Sequence, residues 1–291
     1  MREDTVPHIF LARVRKYGDR VALREKEFGI WQEVSWNDYS RHVRHFCLGL
    51  MDLGLRPGDH VSIFGENLPE WLYADLATQS ARGVAVGVYP TNPSREAQYV
   101  IGHSESVFVV CDDQEQVDKV LEVREALPFM RKIIVIDMKG LRRGTDPMIV
   151  SFEEVERIGG RIEAADPERY WRTVDQVRPE DVAIMVYTSG TTGPPKGAML
   201  SHDNVAQFLK AQSQTLPQFD TDEIVSFLPL CHVAERMMSV FLPIYSGATV
   251  NFAESVDTVT QDMREIFPTF YLAVPRIWEK MMAGIVIKMK D

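Results

Sequence analysis

The sequence Tyr187-Thr-Ser-Gly-Thr-Thr-Gly-Pro-Pro-Lys-Gly197 decides how the rest of the chain is interpreted. The apolar run over residues 182–186 precedes it and predicts a buried strand. The run Ser201-His-Asp-Asn204 follows it and predicts the first turn of a helix. We therefore expect a strand, a loop rich in glycine and threonine, and a helix, in that order.

The residue types in this loop suit an anionic ligand. The glycines at 190, 193 and 197 let the backbone adopt positive φ and approach a ligand closely, and successive N–H groups then form an anion-binding concavity. Lys196 adds a positive charge within reach of a phosphate, and the loop hydroxyls can bind phosphate oxygens or Mg²⁺. The spacing differs from a Walker A loop. A mobile linker is the alternative, but a linker would not need a lysine between Pro195 and Gly197.

The run from Thr188 to Gly197 resembles the phosphate-loop signature of the AMP-forming acyl-CoA synthetases, members of the adenylate-forming superfamily. The resemblance implies an α/β fold of mainly parallel sheets with helices on both faces. It also implies a ligase that uses ATP, Mg²⁺ and CoA to convert a fatty acid through acyl-AMP to acyl-CoA. Catalytic roles would fall to Lys196 and Thr188, with Thr188 also beside the metal. The implied nucleotide-binding residues are Thr188, Ser189, Gly190, Thr191, Thr192, Gly193, Lys196 and Gly197.

A second run, Leu228-Pro-Leu-Cys-His-Val-Ala-Glu-Arg236, resembles another signature of this superfamily. There a histidine or an aromatic residue lies beside the carboxylate substrate and the adenylate, so His232 would have a catalytic and substrate-binding role. A structural histidine at a strand end is the alternative. The pair Glu235-Arg236 resembles the long-chain fatty acid subgroup and is predicted to belong to the substrate site. Weaker cues of that subgroup lie at residues 252–255, 268–269 and 274–280.

Trp278 is the last predicted substrate residue, because an aliphatic substrate needs an apolar wall. A core aromatic on an amphipathic helix is the alternative interpretation.

Cys231 beside His232 suggests a nucleophile pair, but adjacent residues of a strand point to opposite faces. The other cysteines, Cys47 and Cys111, are far from Cys231 in sequence. The odd number and wide spacing of the three argue against disulfides or a zinc site and favour a reducing compartment.

Composition is ordinary for a globular protein, with 291 residues, 45% hydrophobic and 25% charged. The formal net charge of −10 argues against a nucleic-acid partner and requires a local cationic site for an anionic ligand. The first residues lack the apolar run of a signal peptide, and no stretch approaches the roughly 20 apolar residues of a membrane helix. We expect a cytoplasmic protein, with peripheral membrane contact as a further option for a long-chain substrate.

Strands and helices alternate along the chain, which predicts parallel sheets. We divide it into a first α/β part (1–136), a surface excursion with one or two short helices (137–180), and a phosphate loop that begins a second α/β part (181–291). Asn37 and Asn67 are predicted helix starts. The predicted strands cover 21–23, 30–36, 61–64, 83–88, 107–110, 132–136, 182–186, 222–230, 247–250 and 268–274.

Members of the resembled family are longer than this chain. They continue with a Tyr-Gly-x-Thr-Glu motif, a ribose-binding aspartate, a hinge and a small C-terminal domain with a catalytic lysine, and residues 198–291 contain none of these. The chain is therefore expected to be the N-terminal part of a synthetase, with weak or no turnover without a C-terminal half. The alternative is a non-catalytic nucleotide-binding or interaction module that pairs with a second polypeptide. The helical stripe behind this alternative is Ile277, Met281, Ile285 and Met289.

Overall fold

The computed structural model describes residues 3–141, 146–188, 193–255 and 257–288, which form two β-sheets and the helices around them. The strands are β1 (Val21–Glu27), β2 (Ile30–Ser35), β3 (His60–Phe64), β4 (Val84–Val88), β5 (Phe108–Cys111), β6 (Lys132–Val135), β7 (Ile149–Ser151), β8 (Val182–Thr188), β9 (Lys196–Ser201), β10 (Glu223–Ser226) and β11 (Thr249–Phe252).

Twelve α-helical segments accompany the strands over the same residues. They are α1 (Val6–Tyr17), α2 (Trp36–Asp52), α3 (Pro69–Ser80), α4 (Ser94–His103), α5 (Gln114–Glu122), α6 (Phe152–Ala165), α7 (Arg169–Val174), α8 (His202–Thr215), α9 (Val233–Arg236), α10 (Leu242–Ser246), α11 (Val259–Ile266) and α12 (Pro275–Lys288). A π-helical turn, Met237–Phe241, joins α9 to α10 without a break. No helix over the described residues combines the length and apolar character needed to cross a membrane.

The larger sheet has the order β7-β6-β5-β3-β4-β8-β9, and all its strands run parallel except β9. Successive side chains of a strand point to opposite faces, and β5 shows the result: Phe108 and Val110 enter one core, while Val109 and Cys111 enter the other. Helices α2, α3 and α6 cover the first face and α4 and α5 the second. The prediction of an α/β fold with mainly parallel strands and helices on both faces is confirmed.

The smaller sheet, β10-β11-β1-β2, joins distant parts of the sequence. The predicted hairpin β1–β2 is present, and β1 also pairs in parallel with β11, so that Leu23 lies opposite Val250. The carboxyl ends of β1, β10 and β11 therefore lie at one edge of this sheet. No local signal in the sequence indicates this pairing.

Residues 137–180, for which we expected a surface excursion, contribute to the sheet and to the core. Strand β7 extends the larger sheet, and α6 packs on α2, where the rings of Phe46 and Phe152 stack with centroids 3.9 Å apart. Polar pairs complete this helix contact, with His42 Nδ1 2.7 Å from Glu156 Oε1 and Arg44 Nε donating to Glu163 Oε1 at 2.6 Å. The glycines and polar residues of this segment obscured the apolar stripe of α6.

Two predicted helix starts are wrong. Ser35, not Asn37, caps α2 by accepting a hydrogen bond from Asp38 N–H, whereas Asn37 lies inside the first turn. Helix α3 begins after Leu68 with Pro69 in its first turn, which suits proline because the N–H it lacks would be unpaired there. Asn67 precedes that start and uses its side chain elsewhere.

Candidate functional site

The phosphate loop joins two antiparallel strands rather than a strand and a helix. We expected the loop to lead directly into α8, but β9 intervenes and pairs with β8. In this register Thr188 lies directly opposite Lys196, and both side chains are exposed. Opposite residues of an antiparallel pair have Cβ atoms about 4.5–5.5 Å apart. The hairpin therefore brings a hydroxyl and an ammonium group together at the carboxyl end of β8.

Four of the predicted nucleotide-binding residues, Ser189 through Thr192, lie outside the described residues. Of the others, Gly193 has φ of +93°, a left-handed conformation that favours glycine. Gly197 faces β8 closely, because a Cβ placed there would lie 2.9 Å from Met185 Sδ and 3.3 Å from Tyr187 Cζ. Glycine at 197 thus lets the returning strand pass close to the side chains of β8.

Helix α4 supports the loop from one side. Tyr99 donates its hydroxyl to the carbonyl oxygen of Pro195 at 2.9 Å, and its ring stacks on His103 at 5.5 Å. His103 Nδ1 lies 2.7 Å from the hydroxyl of Tyr187, the residue before Thr188. Burial raises the pKa of Tyr187 to about 12, so its hydroxyl remains a hydrogen-bond donor at neutral pH. Both strands of the hairpin are therefore tied to α4 next to the loop.

The second sequence motif packs against the strand beside the hairpin. Cys231 contacts Gly87 of β4 so closely that a Cβ on Gly87 would lie 2.6 Å from Cys231 Cα. Strand β4 pairs with β8, with Val86 opposite Met185. His232 and Thr188 therefore lie over adjacent strands at the same edge of the sheet. In open α/β sheets this carboxyl edge is where ligands bind.

His232 is exposed and forms the N-cap of α9. Its Nδ1 accepts a hydrogen bond from Ala234 N–H at 3.2 Å. A ring nitrogen that accepts carries no proton, so the neutral imidazole holds its proton on Nε2. Nε2–H is then a donor available to an oxygen of a ligand, which suits the predicted position beside a carboxylate.

Cys231 does not form a nucleophile pair with His232. The thiol is buried, and burial raises its pKa to about 12, so at neutral pH it stays protonated and unreactive. His232 directs Nδ1 to the backbone of α9 instead. Cys47 and Cys111 are likewise buried as free thiols.

Glu235 and Arg236 are both buried, although each was predicted to contact substrate. Glu235 accepts hydrogen bonds from the hydroxyls of Ser226 at 2.9 Å and Ser239 at 2.7 Å. Burial raises the pKa of Glu235 to about 7, and the hydroxyl hydrogen bonds oppose that rise. The predicted substrate contact of Glu235 and Arg236 stays a prediction, and the contacts seen here join α9 to the core.

Arg236 is completely buried with Asp75 of α3. Its Nε donates to Asp75 Oδ2 at 3.2 Å, and Nη2 donates to Asp75 Oδ1. Gln79 donates to the same carboxylate at 2.8 Å, and the guanidinium lies over the ring of Trp71 at 5.0 Å. The ion pair fixes the end of α9 against α3. Local sequence could not indicate it, because its members are far apart in the chain.

Trp278 is half exposed at the start of α12. Its Nε1 donates to Ala273 O at 3.2 Å, and its ring meets that of Tyr271 edge to face at 5.3 Å. Tyr271 stacks in turn on Phe227, the residue just after β10, at 5.5 Å. The aromatic row thus leads from α12 to the second motif. A role of Trp278 in an acyl channel stays a prediction.

Sequence reasoning missed Asn67, which follows β3 at the same edge of the sheet. Its amide Nδ2 donates to Leu228 O at 2.7 Å and to Ser226 Oγ at 2.9 Å, while Oδ1 accepts from Leu230 N–H at 3.2 Å. An asparagine before a proline-initiated helix looked like a helix start. Its partners lie about 160 positions away and leave no mark in the neighbouring sequence.

Thr188 is the described loop residue that fits a metal ligand. Mg²⁺ usually keeps several waters and binds through one or two protein oxygens together with substrate phosphates. One exposed hydroxyl at the end of β8 fits that pattern. Lys196 lies across the hairpin from this hydroxyl.

Comparison with known proteins gives a match along most of the chain. A family model described as AMP-binding enzyme matches residues 10–290. The chain is 34% identical over 284 residues to the long-chain-fatty-acid–CoA ligase ACSBG2 of Xenopus laevis, covering 95% of this chain and 38% of that protein. It is 32% identical over 290 residues to the long-chain-fatty-acid–CoA ligase ACSBG1 of Homo sapiens, covering 97% and 39%. The chain thus spans about two fifths of the length of these relatives.

The fold also matches solved structures. One is a long-chain-fatty-acid-CoA ligase, FadD1, from Archaeoglobus fulgidus, with a TM-score of 0.78 at 22% sequence identity. The match covers 94% of this chain and 51% of that one. At this identity the likeness concerns the fold alone.

Proposed function

The chain belongs to the AMP-binding enzyme family, and from that premise we propose that it is the N-terminal part of a ligase that activates a long-chain fatty acid with ATP and CoA. The observation that carries the proposal is the hairpin β8–β9, which sets Lys196 opposite Thr188 at the edge of the sheet that also holds His232. The similarity to two long-chain-fatty-acid–CoA ligases supports the substrate class.

The proposed reaction has two steps. A carboxylate oxygen of the fatty acid attacks the α-phosphorus of ATP, and the bond from that phosphorus to the bridging oxygen breaks as pyrophosphate leaves. The thiol of CoA then loses its proton, its sulfur attacks the acyl carbon, and AMP leaves. The first step joins an anion to a polyanion, so catalysis must rest on positioning and charge neutralisation.

Lys196, Thr188 and His232 would supply parts of that neutralisation. Lys196 and the loop N–H groups would hold the β and γ phosphates and stabilise the departing pyrophosphate. Mg²⁺, when bound, neutralises phosphate charge, and Thr188 would hold it. His232 would donate Nε2–H to the carboxylate or adenylate oxygen, since its Nδ1 is engaged by Ala234 N–H.

Isothermal titration calorimetry with MgATP tests the proposal. Lys196→Ala should raise the Kd for MgATP by at least about tenfold, because a hydrogen bond to a charged group is worth about 1.5–3 kcal/mol. Lys210→Ala removes the same charge from the exposed side of α8 and serves as the matched control. Equal MgATP affinity in the wild type and Lys196→Ala would count against the assignment.

Pyrophosphate release with short, medium and long fatty acids then tests the substrate class. Release that requires a long-chain acid and Lys196 would support the ligase. Release that is equal with acetate and with a long-chain acid would contradict the assignment to long chains.

A second candidate function follows from α12. Trp278, Met282 and Val286 of α12 are exposed at a spacing of four residues, which places them on one face, and Val274 just before the helix is exposed as well. The stripe expected from the sequence began one residue earlier, at Ile277. Ile277 packs beside Phe227. The side chain of Ile285 and the whole of Met289 lie outside the described part of the chain. Such a face favours an interaction module that pairs with a second polypeptide. Light scattering showing a monomer at high concentration would remove its support.

A further inference from the structure

The segment from Ser226 to Arg236 carries His232, and Asn67, which lies outside the segment, makes hydrogen bonds to residues 226, 228 and 230. We propose that Asn67 is a positioning residue for the acyl-transfer site, which sets the place of His232 through the backbone of Leu228 and Leu230. The inference rests on the proposed function, because it takes His232 as the group that meets the carboxylate or adenylate.

The hydrogen bonds of Asn67 all go to this segment. Nδ2–H donates to Leu228 O and Ser226 Oγ, and Oδ1 accepts from Leu230 N–H. Only this orientation of the amide fits, because the reverse would set Oδ1 against the carbonyl oxygen of Leu228. Asn67 does not cap its own helix, since α3 begins after Leu68 without a side-chain cap. The amide therefore serves the distant segment rather than α3.

The same contacts continue into the start of α9. Ser226 Oγ accepts from Asn67 and donates to Glu235 Oε1 at 2.9 Å, and Ser239 donates to the same oxygen at 2.7 Å. The segment is thus tied at residue 226, at residues 228–230 and at residue 235. His232 lies between these ties, one residue after Cys231 packs on Gly87 of β4.

The segment that carries His232 and the phosphate loop that carries Lys196 are anchored by different side chains. The phosphate loop is anchored by Tyr99 and His103 of α4, with no hydrogen bond to Asn67 among the described residues. Loosening the tie at residues 228–230 should therefore displace His232 without displacing Lys196. Binding of an acyl-adenylate should suffer, and binding of MgATP should not.

Two variants of Asn67 and one control test the idea. Asn67→Ala removes the hydrogen bonds to the segment. Asn67→Asp keeps the shape and the acceptor for Leu230 N–H but sets an oxygen against Leu228 O. Asn37→Ala is the matched control, because it removes an exposed amide hydrogen bond to Asp19, 2.8 Å long, on another helix.

Two readouts are measured on the full chain. Hydrogen–deuterium exchange should speed up about tenfold over residues 227–236 in both Asn67 variants, as expected for lost hydrogen bonds of ordinary strength. The Kd for 5′-O-(N-dodecanoylsulfamoyl)adenosine, an acyl-adenylate mimic, should rise about tenfold, while the Kd for MgATP stays within about twofold. Asn37→Ala should change neither.

A double-mutant cycle with His232→Ala provides the decisive comparison. If Asn67 acts through His232, the double variant Asn67→Ala/His232→Ala should bind the mimic no more weakly than His232→Ala alone. Additive losses would overturn the proposal. So would unchanged exchange over 227–236, or equal weakening of MgATP and mimic binding.

The outcomes also separate this inference from the proposed function. If the wild type binds neither MgATP nor the mimic, the proposed function fails, and unchanged exchange would still overturn the role of Asn67. If the wild type binds both ligands and the Asn67 variants bind the mimic normally, the inference about Asn67 fails alone.

Discussion

Replacing Arg236 by methionine should lower the free energy of unfolding by about 3–5 kcal/mol, the range for breaking a buried ion pair from one side. Neither side chain of the pair has exposed area. The variant leaves Asp75 as a buried carboxylate whose remaining side-chain hydrogen bond comes from Gln79 at 2.8 Å. Methionine keeps much of the aliphatic contact with Trp71, so the loss should report the guanidinium.

The double variant Asp75→Leu/Arg236→Met gives the contrast. Replacing both members of a buried pair by apolar residues is often neutral or stabilising, because neither charge remains to be desolvated. We expect the double variant to lose less than the single variant Arg236→Met, although it carries one more substitution. The difference between them then measures the penalty of the unpaired carboxylate.

Urea unfolding at pH 7, followed by the fluorescence of the buried Trp36 and Trp71, provides the measurement. The dependence of the unfolding free energy on urea should keep its slope if the variants unfold from the same compact state. A loss below about 1 kcal/mol in Arg236→Met, or a double variant as unstable as the sum of both single variants, would refute the reasoning.

Three further predictions concern the loop and the buried carboxyl. Tyr99→Phe removes the hydrogen bond to Pro195 O and should weaken MgATP binding up to about tenfold with little change in thermal stability. Gly197→Ala brings a Cβ within 2.9 Å of Met185 Sδ and should lower the unfolding free energy by about 1–3 kcal/mol while weakening MgATP binding. Glu235 keeps its proton in the folded state up to about pH 7 but releases it near 4.5 when unfolded, so stability falls as pH rises through that window. Glu235→Gln should remove up to about 3 kcal/mol of that fall.

The first two have matched controls, and the third has a comparison variant. Tyr245→Phe removes a hydroxyl that makes no side-chain hydrogen bond over the part of the chain that is described, and should leave MgATP affinity unchanged. Gly102→Ala in α4 places a Cβ 3.5 Å from Leu127 Cδ2, which is an ordinary contact distance, and should be neutral or stabilising. Glu25→Gln should remove a separate part of the pH dependence, because burial also raises the pKa of Glu25 to about 7. A pH profile that is unchanged in Glu235→Gln would contradict the third prediction.

The sequence alone predicts the elements whose signals are local. The continuous apolar runs of β4 and β8 predict buried strands. Ser201 caps α8 as its position indicates, with Asn204 completing the reciprocal pair of hydrogen bonds. The phosphate loop is recognisable because its glycines, hydroxyls and lysine lie within a few residues.

What the sequence does not predict depends on partners far along the chain. Strand β9 is an edge strand that has no buried residue, so its residues carry no alternating apolar pattern. Asn67 looks like a helix cap because its true partners lie beyond residue 225. The ion pair of Arg236 is not predictable from its neighbours, because Asp75 belongs to a helix more than 150 positions earlier.

The parallel pairing of β1 with β11 has a consequence for synthesis in the cell. Leu23 leaves the ribosome long before Val250, its partner across the smaller sheet. At about 5–20 residues per second, the β1–β2 hairpin waits roughly 10–50 s for that partner. Until then the edge of β1 offers unpaired N–H and C=O groups to any other nascent strand. Folding yield should therefore fall when translation slows between these positions, and chaperones that shield strand edges should restore it.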